Sequence, residues 1–307
     1  MRITKQYRTE TAHRLMNYDG KCSHLHGHSY LWEVTAECDD NDLASKNPGA
    51  TELMLDSGAF TAWTKNEEVE LDHLLYVYGD LLEKYSSSMK EIWLINLDKI
   101  PGSPGRTADT KELDHCIEVS DINFNILRQE FGDRVLPVYH QNESEQRLFD
   151  VLDMTPYICV SPRNDLPEKQ RVAWSQYVHT LIPGLRAHGL ATTGAQMLTT
   201  VEWYSADSAS WVFAGAMGNI TVLNGQRLMP ISMSDESPSL KVLGNHFDNM
   251  PNLMKQQIAD RIEKQGFTVE QMRTSHGHRM AMNMLETIDW MAHLKVNPVN
   301  ELSLFPL

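Results

Sequence analysis

The chain has 307 residues, 41% hydrophobic and 22% charged, with 17 glycines and 13 prolines. This supports a sizeable core in one large domain or two smaller ones, and excludes a disordered chain. The net charge of −14 argues against broad non-specific nucleic-acid binding, which needs Lys and Arg against phosphates, but leaves room for a local basic groove.

No apolar run approaches the ~18 residues that span a bilayer. Met1-Arg-Ile-Thr-Lys-Gln-Tyr7 lacks the apolar core of a signal peptide. A cytoplasmic protein with no membrane partner is expected. Cys22, Cys38, Cys116 and Cys159 are scattered without a CxxC pair and read as free thiols, Cys22 apart.

In chain order, Ile3–Thr11 and Ser29–Ala36 are expected to form a β-hairpin. Between them, four histidines and Cys22 fall within 16 residues. His26 and His28 alternate by two, so one face of a strand carries both. A neighbouring strand can bring His13 alongside. Three imidazoles with an open fourth position form a zinc site of the catalytic type; the alternative is a polar hairpin with surface histidines. Residues 39–52 are polar and turn-rich, a boundary between a hairpin unit (residues 1–50) and the remainder (residues 51–307).

From residue 53 strands and helices alternate. Strands are expected at Leu53–Leu55, Ile92–Asp98, Val135–His140, Tyr157–Arg163 and Gly189–Gly194, with a further one leading to Asp207. Helices are expected at about Leu71–Tyr85, Thr110–Phe131, Ser144–Leu152, Glu168–Ile182 and Ala195–Thr200. This alternation implies α/β architecture with a parallel sheet. Asp56, Asp98, His140, Arg163 and Asp207 fall at strand carboxyl ends, where a (β/α)₈ TIM-like barrel places its chemistry. Six strands are clear. Ile220–Leu223 and Leu228–Met233 look like a hairpin, so the barrel is expected to be irregular. A helical tail follows at about Asn252–Gln265 and Val269–Leu294.

Carboxylates on different strands can divide labour between nucleophile and acid or base. No Walker motif, GxGxxG or GxSxG is present, so nucleotide hydrolysis, dinucleotide redox and serine hydrolysis lack support. His276 and His278 form an HxH on a helical tail, about 200° apart, and read as surface residues. Lys255, Arg261, Arg273 and Arg279 read as a solvated face in preference to a phosphate site.

Two resemblances extend this reading. Ala12-His-Arg-Leu15 followed by Cys22-Ser-His-Leu-His-Gly-His-Ser-Tyr30 resembles the zinc motif of the 6-pyruvoyl- and 6-carboxytetrahydropterin synthases. The resemblance covers about the first 38 residues, with Asp72-His73 and Asn297–Glu301 as fainter similarities. It implies Zn²⁺ on His13, His26 and His28 with Cys22 as catalytic base; the fourth ligand stays open between Cys22, His24 and water.

From residue 53 to about 225, the chain resembles the tRNA-guanine transglycosylase superfamily, in its phage and bacterial branch that inserts 7-deazaguanines into DNA. The motifs are Leu55-Asp-Ser-Gly-Ala-Phe60, Asn96-Leu-Asp-Lys-Ile-Pro-Gly102, Leu136-Pro-Val-Tyr-His-Gln141, His188-Gly-Leu-Ala-Thr-Thr-Gly194 and Tyr204-Ser-Ala-Asp-Ser-Ala-Ser-Trp211. The resemblance implies a pentosyltransferase with Asp207 as nucleophile and Asp56 as general acid/base. Asp98 and Gln141 would read the base, with Ser57, Gly58 and Phe60 beside it. Phe60 reads equally as base-stacking or core, and Trp203 and Trp211 likewise. The implied partners are DNA and a 7-deazaguanine base, in a bacterial host's cytoplasm if the gene is a phage's, with a homodimer left open. Superfamily members acting on tRNA carry a Cys-rich zinc site after the nucleophile strand. This chain has no cysteine beyond Cys159, which favours DNA. The alternatives are a tRNA transglycosylase, a zinc-dependent pterin synthase and a non-catalytic nucleic-acid-binding protein.

Overall fold

A computed structural model describes the backbone of residues 2–13 and 26–37, and residues 52–87, 89–224, 227–237 and 246–292. The chain divides into two compact units. One comprises Met1–Leu55 and Asp72–Leu94, the other Asp56–Leu71 and Ile95–Leu307. No helix among the described residues is long and apolar enough to cross a membrane.

In the first unit, β1 (Arg2–His13) and β2 (His26–Glu37) pair antiparallel from Arg2↔Glu37 to His13↔His26. The hairpin is longer at both ends than the β-branched runs alone suggest. A short strand β3 (Glu52–Leu55) pairs parallel with β4 (Glu91–Ile95). An intervening helix, Leu71–Tyr85, buries Leu74 and Tyr78 at i,i+4 spacing, and the Tyr78 hydroxyl donates to the Leu55 carbonyl at 3.2 Å.

The second unit opens with helix α1 (Ala59–Lys65); the Leu71–Tyr85 helix is α2. Helix α3 (Thr110–Phe131) is capped by Asp109, whose side chain accepts from Glu112 N–H. Pro137 has no N–H to give a ladder and divides the expected strand into β5 (Val135–Leu136) and β6 (Val138–His140). Helix α4 (Glu145–Met154, capped by Ser144), β7 (Tyr157–Ser161), helix α5 (Glu168–Leu181) and β8 (Arg186–Gly189) follow. Then come α6 (Ala195–Thr200), β9 (Ser205–Ala206) and α7 (Ser210–Ala216). Strands β6-β7-β8-β9 form a parallel sheet.

Strand parity gives this sheet two unlike faces. Tyr139, Ile158, Val160 and Ala187 share a core with Leu148, Val151 and Val178 from α4 and α5. The alternate positions carry His140, Tyr157, Cys159, Ser161, His188 and Ser205. One face is therefore closed by helices and the other is lined with polar groups.

The expected strand at Gly189–Gly194 ends instead at Gly189. There the backbone passes so close to Trp203 that an added Cβ would lie 2.9 Å from its ring, and the Thr192 side chain folds back onto the Gly189 carbonyl at 2.8 Å. Residues 190–194 form the loop that meets Asp207.

Strands β10 (Asn219–Asn224) and β11 (Arg227–Ser232) pair antiparallel as a separate two-stranded sheet. They are a hairpin, as expected, and do not extend the parallel sheet. The expected single C-terminal helix is two, α9 (Val269–Thr274) and α10 (His276–Ala292), following α8 (Asn252–Lys264). The break is held by Arg279, buried, which donates to the carbonyls of Met272, Arg273 and Gly215. These helices cover the hairpin: Ile220, Val222 and Ile231 pack with Ile258, Ile262, Met272 and Met282. The architecture described is thus mixed α/β with parallel sheets.

Three of the four basic residues considered as a phosphate face have other work. Arg261 pairs with Glu286 and Asp289, Arg273 with Asp248 and Asp235, and Arg279 caps carbonyls.

Candidate active site

Asp56, Asp98 and Asp207 lie within the second unit. Asp98 and Asp207 both act electrostatically on Asp56. Asp56 is exposed to solvent, with protein packed around its carboxylate. Crowding by the protein raises its pKa first, and the charges of Asp207 and Asp98 raise it further. The N–H groups of Gly58 and Ser57, which bond the carboxylate, oppose this.

Local sequence explains that cradle. Gly58 takes φ 80° and starts α1, a conformation that glycine adopts without strain. Ser57 is buried, and its Oγ accepts from Ala59 N–H at 3.4 Å. Both expected substrate-binding residues thus hold Asp56 through their backbone. Phe60, in contrast, is 44% exposed and stacks on Trp63 with centroids 5.7 Å apart. Its core alternative is excluded. Trp63 Nε1 in turn donates to Gly102 O at 3.0 Å, fastening α1 to the loop after Asp98.

Asp98 is buried beyond the end of β4, and its Oδ2 lies 2.8 Å from His140 Nε2. Burial alone would depress the imidazole pKa. The hydrogen bond and charge of Asp98 outweigh it, so His140 is raised and its charged form is favoured beside the carboxylate. Glu143 supports His140 from behind, its Oε2 accepting the His140 N–H at 3.1 Å, while burial pushes the Glu143 pKa up. Gln141 spans two strand ends: its N–H donates to Ser161 O, and its Oε1 accepts from Arg163 N–H, both at 3.0 Å.

Asp207 stands at the end of β9 with its side chain 57% exposed. Its Oδ1 accepts from Ala191 N–H at 3.0 Å and lies 3.4 Å from His188 Nε2. His188 is buried, with Nδ1 2.7 Å from Ser205 Oγ, which in turn is 2.7 Å from the Tyr157 hydroxyl. Beneath these groups Cys159 is buried and free. Burial, then the charges of Asp98, Asp207 and Asp56, hold its thiol well above the usual range.

The two histidine partners were not assigned roles by sequence. The available signal was parity: His140 and His188 fall on the sheet face that α4 and α5 leave uncovered. Trp203 packs edge-on against His179 at 4.9 Å and borders the core, which favours its packing role. His276 is exposed, as expected of a surface residue, whereas His278 is half-buried and lies edge-on to Phe267.

For the expected zinc residues the backbone gives register. His13 pairs with His26, and Thr11 with His28, so positions 13, 26 and 28 share one pleat parity at one end of the hairpin. Cys22 and His24 lie outside the described residues. Among the described residues no group of three or more His, Cys, Asp or Glu side chains is placed to hold a metal.

Comparison with known proteins bears on the first unit. The family model described as 6-pyruvoyl tetrahydropterin synthase matches residues 2–89. A 6-carboxy-5,6,7,8-tetrahydropterin synthase of Rickettsia bellii (strain RML369-C) is 28% identical over 82 residues, covering 26% of this chain and 54% of that protein. The chain therefore spans about half the length of the curated relative it matches. The match runs past the 38 residues that carry the recognisable motif and includes Asp56–Phe60 and Asp72-His73. No solved structure matches. The N-terminal part of the chain is thus similar to tetrahydropterin synthases.

Proposed function

We propose that the second unit is a guanine transglycosylase that exchanges guanine in DNA for a 7-deazaguanine, 7-cyano-7-deazaguanine or a relative. The observation that carries this is a set of three carboxylates: Asp98 lies 2.8 Å from His140, Asp207 lies 3.4 Å from His188, and Asp56 is raised in pKa by burial and by the charges of the other two. Such a division suits three tasks. Asp207, exposed at the rim, attacks C1′ of the target nucleoside. A C1′–O bond forms, the C1′–N9 bond breaks, and the electron pair leaves with N9. Asp56, its pKa raised, delivers the proton that the departing guanine needs. Asp98, held by His140, accepts hydrogen bonds from the donor edge of the base. In the second half the incoming base gives its N9 proton to Asp56, attacks C1′, and displaces the Asp207 carboxylate. One glycosidic bond replaces another, so no ATP is required. Attack within a duplex calls for extrusion of the nucleotide, and Phe60, being exposed, would stack on it.

The first unit supports a second reading, favoured by the family match and the histidine register. His13, His26 and His28 would supply three nitrogen donors, a set that suits zinc, with Cys22 as the base. Bound there, zinc would act as a Lewis acid on a substrate oxygen. This reading is a zinc-dependent 6-carboxytetrahydropterin synthase-like activity. The matched segment also includes Asp56.

The test is base exchange. Purified protein is incubated with 7-cyano-7-deazaguanine and either duplex DNA or bulk tRNA, and the digested nucleosides are weighed by mass spectrometry. Modified deoxynucleoside from DNA alone supports the main reading. Product from tRNA alone moves the substrate to tRNA. Turnover of dihydroneopterin triphosphate with no base exchange moves the activity to the first unit.

A further inference from the structure

The polar face of the parallel sheet carries a chain of groups that ends on the proposed nucleophile: Tyr157 OH, Ser205 Oγ, His188 and Asp207. Its direction follows from chemistry. Burial pushes the Tyr157 phenol up to about 12, so near neutral pH it keeps its proton. Either hydroxyl can donate across this 2.7 Å contact; a phenol that donates to Ser205 Oγ turns the serine proton towards His188 Nδ1. The imidazole then accepts at Nδ1 and carries its proton on Nε2. The opposite tautomer would aim a lone pair at a carboxylate, an unfavourable contact at 3.4 Å. Nε2 is fully buried and makes no hydrogen bond, so a reorientation that aims its N–H at Asp207 Oδ1, 3.4 Å away, would satisfy it.

Resting on the transglycosylase reading, we propose that His188 is a positioning residue for Asp207, donating its Nε2–H to Oδ1 so that Oδ2 is the oxygen that attacks C1′. Oδ1 already accepts the Ala191 N–H at 3.0 Å, and a second donor on the same oxygen fixes the carboxylate plane and leaves Oδ2 free for carbon. The same N–H steadies the carboxylate when the C1′–Oδ2 bond breaks in the second half-reaction, as it regains its full charge. No proton is transferred along the chain, and no further reactant is required.

Two measurements separate this proposal from the reading beneath it. First, ¹⁵N-histidine NMR of the whole protein at pH 8.5 identifies the His188 ring by its loss in His188→Gln. A proton on Nε2 is expected; a proton on Nδ1 alone overturns the proposal whatever the protein's substrate. Second, His188→Leu should lower kcat for base exchange roughly 100-fold with KM for the base changed less than about twofold. His188→Gln, whose amide N–H reaches the same place, should recover most of that loss. Unchanged kcat in His188→Leu overturns the positioning role while the transglycosylase reading stands. Should His188→Leu fail to fold, Ser205→Ala removes only the hydroxyl that sets the ring, and a loss of about tenfold in kcat is expected; no loss overturns the proposal. Absence of exchange in the unaltered protein overturns the transglycosylase reading, and with it the role in attack at C1′.

Discussion

The two units gather their chemical groups in opposite ways. In the first, His13, His26 and His28 lie within 16 residues, and a single hairpin register aligns them. In the second, Asp56, Asp98 and Asp207 are spread over about 150 residues, each following a strand, and the charges of the last two act on the first. A local site is legible as a motif but says little about the fold around it. A dispersed site depends on the fold, and its partners (His140 for Asp98, His188 for Asp207) are invisible until strands are paired. The comparisons follow this division only in part: the segment matched to tetrahydropterin synthases holds the local motif and also Asp56, while Asp98 and Asp207 lie beyond it.

The largest expected effect separates the units outright. Asp207→Ala should lower base exchange by roughly 10⁴-fold or more, measured on modified DNA, while zinc content by metal analysis stays unchanged. The converse treatment is removal of zinc with a chelator. It should abolish any turnover of dihydroneopterin triphosphate and leave base exchange within about twofold; a parallel loss of both would tie the two sites together.

A buried pair gives the next effect. His140→Leu leaves Asp98 buried without its imidazole, and a loss of about 3 kcal/mol of stability is expected, read from denaturant unfolding. Loss of base affinity without loss of stability would mean that the pair serves recognition alone.

The smallest effect concerns Asp56 and has a definite sign. Its raised pKa means that the folded protein binds its proton more tightly than the unfolded chain does. Stability therefore falls as pH rises from the unfolded value, about 3.9, through the folded one, and the penalty is fully present above the folded value. Asp56→Asn should raise Tm slightly at pH 7, with the difference vanishing below about pH 4, while base exchange drops on the order of 100-fold. Solvent access to Asp56 keeps the stability change small. Destabilisation at pH 7 would show that the carboxylate is held for structure.

Much of the secondary structure was legible. Helices α2 and α3 have the bounds that their apolar periodicity gives, since long amphipathic segments carry a strong signal. Short elements were not: α1 follows a glycine turn with no side-chain cap, and β8 starts three residues and ends five residues earlier than expected, with Gly189 packed under Trp203. The split of the last helix depends on Arg279 reaching Gly215, 64 residues away, which no local pattern records. Within the site, the three aspartates were legible as strand-end residues. The Asp98–His140 bond spans 42 residues and appears only when β6 is placed.

The most direct test of the central claim is to trap the intermediate. Protein and guanine-containing duplex DNA are mixed without added base, quenched in acid, and analysed by denaturing gel and intact-mass spectrometry. The account predicts a protein–DNA adduct lacking one guanine, attached at Asp207 and absent in Asp207→Ala. Base exchange that proceeds in Asp207→Ala, or an adduct mapped to any other residue, would contradict it.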